Sequence, residues 1–335
     1  MNMTRRAFAV LGSSAVSSAF AAPAQTQPQP QPTLREKKLT ILVAQPPGGI
    51  SDSLARAIAP TLSEGLGRTA VVENVAGASG SLAASRLLAE EPDGDTVLVG
   101  SPSETILAPL TLRSVQYRAT DFRLLGLITS SPLAMYARGD LPASNLDELV
   151  ALGRQTGGKI LSYGTTGFGS LFHLQTERLL ATAGMKAVHV PYRGGMPMLL
   201  DLQSGIVDFA MLPVDTLLER KVASGKIKVL GIASPRKLAR FPEAVLFDES
   251  KSAPRFGHPT IWVGLLIPAA LNAGASAHLH KAAMDTLGDE EVREAIERIG
   301  GKIPPPMSMA DAARFYAADA AKLQALVKAA QIQEG

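Results

Sequence analysis

Gln45-Pro46-Pro47-Gly48-Gly49-Ile50-Ser51-Asp52-Ser53-Leu54-Ala55-Arg56 is the stretch that decides the fold. The apolar run before it, Leu39 to Ala44, reads as a strand. The Pro-Pro-Gly-Gly turn is rigid, and a helix opens at Ser51-Asp52. A glycine turn between a strand end and a helix start leaves backbone N–H groups unpartnered and presents the positive end of the helix dipole. Pro47, Gly48, Gly49 and Ser51 therefore read as an anion cradle or as a plain connection. Asp52 reads as a cap of the helix or as an acceptor for a ligand amine or water. The same device recurs twice. Leu161-Ser162-Tyr163 runs into Gly164-Thr165-Thr166-Gly167-Phe168-Gly169-Ser170 ahead of a helix from Ser170 to Ala183. Val188-His189-Val190-Pro191-Tyr192-Arg193-Gly194-Gly195 precedes a helix from Met196 to Ser204. Thr165, Thr166 and Ser170 supply hydroxyls beside the N–H groups of the second loop. Tyr192 supplies an aromatic face with a donor tip beside Gly194. Three such junctions predict a site built from convergent helix N-termini, outside the carboxyl ends of parallel strands.

Outward from these loops, strands alternate with helices. Strands are expected at Leu39–Ala44, Ala70–Glu73, Thr96–Gly100, Phe122–Thr129, Leu133–Ala137, Lys159–Tyr163, Ala187–Pro191, Phe209–Leu212, Val229–Ser234 and Thr260–Ile267. Helices fall between many of them, and the C-terminus is helical over Ala275–Leu287, Glu290–Ile299 and Met309–Ala330. This is the alternation of a doubly wound α/β chain. Gly77-Ala78-Ser79-Gly80-Ser81 reads as a tight turn with a serine N-cap, or as part of a cleft wall.

The N-terminus reads as a targeting signal over residues 1–21, with the pair Arg5-Arg6, an apolar stretch from Ala7 to Phe20 and the small-x-small site Ala19-Phe20-Ala21. The arginine pair points to twin-arginine export, although general secretory signals also carry two arginines. Ala22 to Thr33 is a Pro/Gln tether, and the fold is expected to start at Leu34. An exported chain without cysteine has no disulfide framework, so its stability rests on its core. The formal net charge of +3 falls by two when Arg5 and Arg6 leave. With no basic stripe and no interleaved aromatics, nucleic acid is not an expected partner.

Catalytic and metal patterns are absent from the sequence. The five histidines show no metal-ligand spacing, and no G-x-S-x-G elbow or Walker A loop occurs. Gly167-Phe168-Gly169 begins like a dinucleotide fingerprint, but Phe172 occupies the third glycine position. Ser170 and His173 can be drawn as nucleophile and base; three residues apart in a first helical turn, they fit a capping pair better. Trp262, the one tryptophan, reads as core or hinge packing on a strand.

Pro46, Gly48, Gly49, Asp52, Ala55 and Arg56 form one motif; Leu66, Gly67, Val71, Val72, Glu73, Asn74, Gly77, Ala78 and Gly80 a second; Pro92-Asp93-Gly94 a third. Tyr163, Gly164, Gly167, Gly169, Ser170, His173 and Leu174 follow, and then Val190-Pro191-Tyr192-Arg193-Gly194. In these motifs the chain resembles the substrate-binding proteins of tripartite tricarboxylate transporters, the TctC or Bug family of periplasmic receptors. The likeness extends over nearly all of the sequence after the N-terminal segment. Two places depart from the family pattern: Ala108-Pro109 stands where asparagine–proline is usual, and Leu212-Pro213 where aspartate–asparagine is frequent. Both changes predict a more apolar pocket.

The resemblance implies a periplasmic binding protein-like fold of type II, a Venus flytrap of two doubly wound lobes joined by crossing strands. The crossings are expected near Leu133–Arg138 and Thr260–Ile267. One lobe is then 34–136 plus 261–335, and the other 137–260. The resemblance also implies a small organic carboxylate held between the Gly48 loop and the Gly164–Ser170 loop, with no cofactor and no metal. The expected state is a periplasmic monomer that delivers its ligand to membrane transporter subunits. Two competing classes are an exported hydrolase using Ser170 and His173, and a receptor that feeds a signalling protein.

Overall fold

Leu39, Ile41 and Val43 face one side of the first strand and Leu42 and Ala44 the other, and both sides are buried. A strand apolar on both faces needs a helix layer above and below. The computed structural model describes residues 38–155, 160–254, 256–330 and 332. The targeting signal, the tether and the expected start at Leu34 lie outside the described residues.

In chain order the elements are β1 (Lys38–Val43), α1 (Ile50–Leu66), β2 (Thr69–Asn74), α2 (Ser81–Ala89), β3 (Thr96–Gly100) and α3 (Ala108–Thr111). There follow β4 (Phe122–Arg138), α4 (Leu146–Gly153), β5 (Leu161–Thr165), α5 (Leu171–Ala183), β6 (Ala187–Pro191) and α6 (Gly195–Ser204). The remainder is β7 (Phe209–Pro213), α7 (Thr216–Ala223), β8 (Ile227–Ala233), β9 (Thr260–Pro268), α8 (Ala273–Gly288), α9 (Glu290–Ile299) and α10 (Met309–Ala330). A π turn at Ser103–Leu107, where the sequence suggested no element, leads into α3.

The sheet runs β2-β1-β3-β9-β4-β7-β5-β6, with β8 also on β4. The pairs β1–β2, β1–β3, β5–β6 and β5–β7 are parallel. β4 carries the sheet from one half to the other. From Phe122 to Pro132 it pairs antiparallel with β9, and from Leu133 onward with β7 and β8. The two strands expected at Phe122–Thr129 and Leu133–Ala137 are thus one strand of 17 residues. Ser130-Ser131-Pro132 reads locally as a break, but β9 pairs with it, and the N–H that Pro132 lacks falls where the partners change. Two register shifts, between Leu124 and Gly126 and between Leu127 and Thr129, let β4 twist.

Each half of the sheet has a core on both faces. In the first half, α1, α8 and α9 cover one face around Ile58, Leu279 and Ile296, and α2 and α10 cover the other around Leu87 and Leu323. In the second half, α4 and α5 pack with Phe209 and Met211, and α6 and α7 with Ala210 and Ile232. The alternating partition of Leu133, Met135 and Ala137 against Ala134 and Tyr136 shows the two-residue period of β4 feeding both cores.

Candidate functional site

The carboxyl ends of β1, β3, β5, β6 and β7 all open on one cleft of about 310 Å³ between the two halves of the sheet. Gln45, Pro46, Gly48, Gly49, Ile50, Ser51 and Ser53 come from the end of β1 and the start of α1, Ser101 and Ser103 from β3, Thr166 from β5, Gly195 and Met196 from β6, and Asp215 and Thr216 from β7. Thr129, Ser131, Ile261 and Val263 of the two crossing strands also line it.

The first loop is braced by its own motif residues. Asp52 is buried, and its carboxylate accepts from Gly48 N at 2.9 Å, from Asn74 Nδ2 at 3.0 Å and from Arg56 Nε at 3.1 Å. Burial pushes its carboxyl up, but these donors outweigh it and hold the group below the usual value. Asp52 therefore fixes the loop and has no free oxygen turned to a ligand. Gly48 sits at φ +79°, the left-handed turn that glycine tolerates. Gly49 is the N-cap of α1, in extended backbone and with no side chain to cap the helix. Among the described residues no acceptor reaches the N–H of Ile50, Ser51 or Asp52. Among the described residues the Ser51 hydroxyl has no partner either, and Gly48, Gly49 and Ser51 line the cleft; Pro47 does not. A 17-residue helix thus aims an uncapped N-terminus into the cleft.

The second loop is different. Ser170 caps α5 by accepting from His173 N, and Leu171 N donates to Ser103 Oγ of the other half at 3.2 Å. Thr165 is fully buried; its hydroxyl lies 2.7 Å from His189 Nε2 and bonds to Gly167. Only Thr166 of this loop's expected contacts lines the cleft, since Thr165, Gly167 and Ser170 do not. Gly167 has φ +138°, and a Cβ there would meet Ser79 Oγ at 2.3 Å. Ser79 in turn donates to Phe168 O at 2.6 Å. The glycine makes room for the opposite half of the molecule.

The third loop repeats this. A Cβ on Gly194 would stand 2.4 Å from Pro46 Cδ of the first loop. Gly194 and Tyr192 do not line the cleft, and the Tyr192 hydroxyl donates to Asp201 at 2.7 Å. Gly194, the N-cap of α6, offers no side-chain cap, so the start of this helix at Gly195 and Met196 faces the cleft as α1 does. The turn at 77–80 neither caps α2 through its serine nor lines the cleft. Gly77, Ala78, Ser79 and Gly80 all have positive φ, a strained run that delivers Ser79 to Phe168.

His173 and His189 stack at 3.9 Å under the second loop. Burial, with the neighbouring His189 adding to it, lowers His173 to about 3, and burial lowers His189 to about 4. His173 Nδ1 accepts from Gly169 N at 3.0 Å, so its ring is not on the Ser170 hydroxyl. The nucleophile–base pair has no geometry here, and the capping pair does.

Several cleft residues escaped the sequence reading. Asp215 caps α7 through Leu218 N at 2.7 Å and lines the cleft; burial pushes its carboxyl up to about 6 against those backbone donors and Arg240. Fully buried Glu104 is pushed up to about 7 and accepts from Ser101 Oγ at 2.7 Å, holding that cleft serine. Ser101, Ser103 and Asp215 follow strand ends, so the rule that flagged the glycine loops could have found them. Ser131, on a crossing strand, carries no local signal. Arg220 of α7 and Arg298 of α9 stand exposed at the cleft, without an ion pair among the described residues. Also among the described residues, no group of three or more metal-ligating side chains is assembled, and no helix is long and apolar enough to cross a membrane.

Residues 54–332 match the family described as tripartite tricarboxylate transporter family receptor, TctC. Among solved structures, the periplasmic binding protein BugD superposes with a TM-score of 0.80 at 26% identity, over 89% of this chain and 99% of that one. MatC of Rhodopseudomonas palustris, solved with bound malate, gives 0.79 at 26% identity over 87% and 99% of the two chains. Rpa4515 of R. palustris, solved with adipate, gives 0.80 at 28% identity over 88% and 98%. The fold is that of these periplasmic binding proteins, and the matched family is one of receptors rather than enzymes.

Proposed function

The chain belongs to the TctC family of solute-binding receptors, and from that premise we propose that its cleft binds a small organic carboxylate in the periplasm for delivery to a tripartite transporter. The observation that carries this reading is the uncapped N-terminus of α1 in the cleft, with the Ser51 hydroxyl beside it. Free N–H groups at the positive end of a helix dipole suit a carboxylate, and charge-assisted bonds of this kind are stronger than neutral ones. The start of α6 and Thr166 add donors from the other half. The malate and adipate bound by the two R. palustris relatives are acids of this kind. The two halves of the sheet act as the two lobes of a monomer, with the changeover at Pro132–Leu133, where β4 exchanges β9 for β7 and β8, ahead of the boundary at 136 that the sequence suggested, and at Thr260 at the start of β9. The Ser79–Phe168 and Gly194–Pro46 contacts belong to the closed arrangement, which a ligand touching both lobes favours by its differential affinity.

A thermal-shift screen with malate, adipate, monocarboxylates and the corresponding amides tests the reading. Ligand at 100 times Kd should add about 2.7 kcal/mol of stability. Equal shifts from acids and amides would contradict it, as would no shift from any acid.

A further inference from the structure

A second cavity of about 280 Å³ lies between the halves, bounded by α5 on one side and α10 on the other, with Pro259 and Thr260 at the start of the crossing strand β9. It shares no lining residue with the first cleft. Much of its wall is apolar, from Leu171, Pro259, Leu323 and Leu326. Two polar groups in it are poorly matched by the protein. Gln175 is only 3% exposed, and its Oε1 has no hydrogen-bond partner among the described residues. Arg178 is half-buried; its guanidinium lies 3.9 Å over the Phe256 ring and donates to Phe256 O at 2.7 Å, but its Nε has no partner among the described residues. Among the described residues no carboxylate pairs with Arg178. Asp319 lines the same cavity, yet its carboxylate accepts from Trp262 Nε1 at 2.8 Å. Lys322 adds a second positive charge to the wall.

Native interiors seldom leave a cation without a counter-charge beside an unpartnered amide, because each such group loses its water without replacement. We propose that this cavity is a second binding site, for a monocarboxylate with a short apolar tail. The carboxylate pairs with the Arg178 guanidinium and accepts from the Gln175 amide, which turns over to present its NH₂. The tail lies against Leu323, Leu326 and Pro259. A dicarboxylate is disfavoured, because its second charge would be left against leucines.

Trp262, the single tryptophan of the chain, reports on the site through Asp319. Sodium hexanoate is the probe, titrated into the wild-type protein, Arg178→Gln, Ala329→Phe at the cavity wall, and Gly49→Asn in the first cleft. Circular dichroism checks the fold of each. The expected result is a saturable change in Trp262 fluorescence at millimolar hexanoate. It should persist in Gly49→Asn and weaken at least about tenfold in Arg178→Gln, as loss of a charge-assisted pair implies. Ala329→Phe, which adds bulk at the cavity wall and leaves Arg178 itself unchanged, keeps the test open if Arg178→Gln does not fold. No saturable change in the wild type overturns the proposal. So does a change that survives both cavity variants, or one that disappears in Gly49→Asn alone and so belongs to the first cleft.

Discussion

The loops at 46–52 and 164–170 look alike in sequence, each a glycine turn from a parallel strand into a helix, and they do opposite things. In the first, the N-cap is Gly49, the helix end is bare, and its N–H groups face the cleft. In the second, the N-cap is Ser170, the amides of Leu171 and His173 are taken by Ser103 Oγ and Ser170 Oγ, and Gly167 leaves the room in which Ser79 approaches. A glycine before a helix therefore has two distinct uses: leaving donors free for a ligand, or leaving space for another part of the chain. The residue at the N-cap position separates them, since Ser, Thr, Asp or Asn there supplies the acceptor that a ligand otherwise would.

The largest effect should come from Gly167→Val. At φ +138°, with Ser79 Oγ 2.3 Å from the new Cβ, the substitution combines a backbone strain with an overlap. It should remove at least about 2 kcal/mol of stability and weaken ligand binding by opening the contact between the halves. Chemical denaturation and calorimetry read the two losses separately. Unchanged stability would mean that the second loop does not bear the inter-half contact assigned to it.

Gly49→Asn sharpens the other side. Its backbone is already extended and the nearest atom to a new Cβ is Pro46 O at 3.4 Å, so the residue fits. Asparagine caps α1 with its own oxygen, which should raise stability by a few tenths of a kcal/mol while costing about 2 kcal/mol or more of carboxylate affinity. Gly49→Ala adds the same Cβ without the oxygen and should keep most of the affinity. Equal losses in the two variants would point to bulk rather than capping.

Ser170→Ala is the mirror experiment. It removes a cap and should lower stability by about 1 kcal/mol, with affinity within about twofold of wild type. A large affinity loss at unchanged stability would return Ser170 to the ligand.

The smallest effect concerns Asp215. Its carboxyl is raised to about 6 in the folded protein, so the folded state keeps a proton that the unfolded chain releases near the ordinary carboxylate value. That contribution is full below the unfolded value and is lost as pH rises through about 6. An anionic ligand in the same cleft favours the neutral acid, so affinity should fall a few-fold from about pH 5 to about pH 7. Asp215→Asn still caps α7 and should flatten both profiles. A slope that survives in Asp215→Asn assigns the titration elsewhere.

Much of the fold was legible because the two-residue and helical periods are strong in this chain, and Thr96–Gly100, Ala187–Pro191 and Glu290–Ile299 fall where the sequence places them. The fusion into β4 was not legible, because pairing with β9 across more than a hundred residues overrides the local signal of Ser130-Ser131-Pro132. At the site, strand ends and glycines located the cleft, but only Gly48, Gly49, Ser51 and Thr166 of the expected contacts line it. Thr165, Gly167, Gly194 and Tyr192 face partners that only the folded chain brings near, namely His189, Ser79, Pro46 and Asp201.

The most direct test compares the two helix ends in one spectrum. Backbone amide resonances of the assigned protein are followed as malate or adipate is added, whichever stabilises it more. The largest shifts should fall on Ile50, Ser51 and Asp52, with Leu171 and His173, whose amides are already taken, moving little. Shifts concentrated on the start of α5, with the α1 amides still, would contradict the assignment of the carboxylate to the uncapped helix.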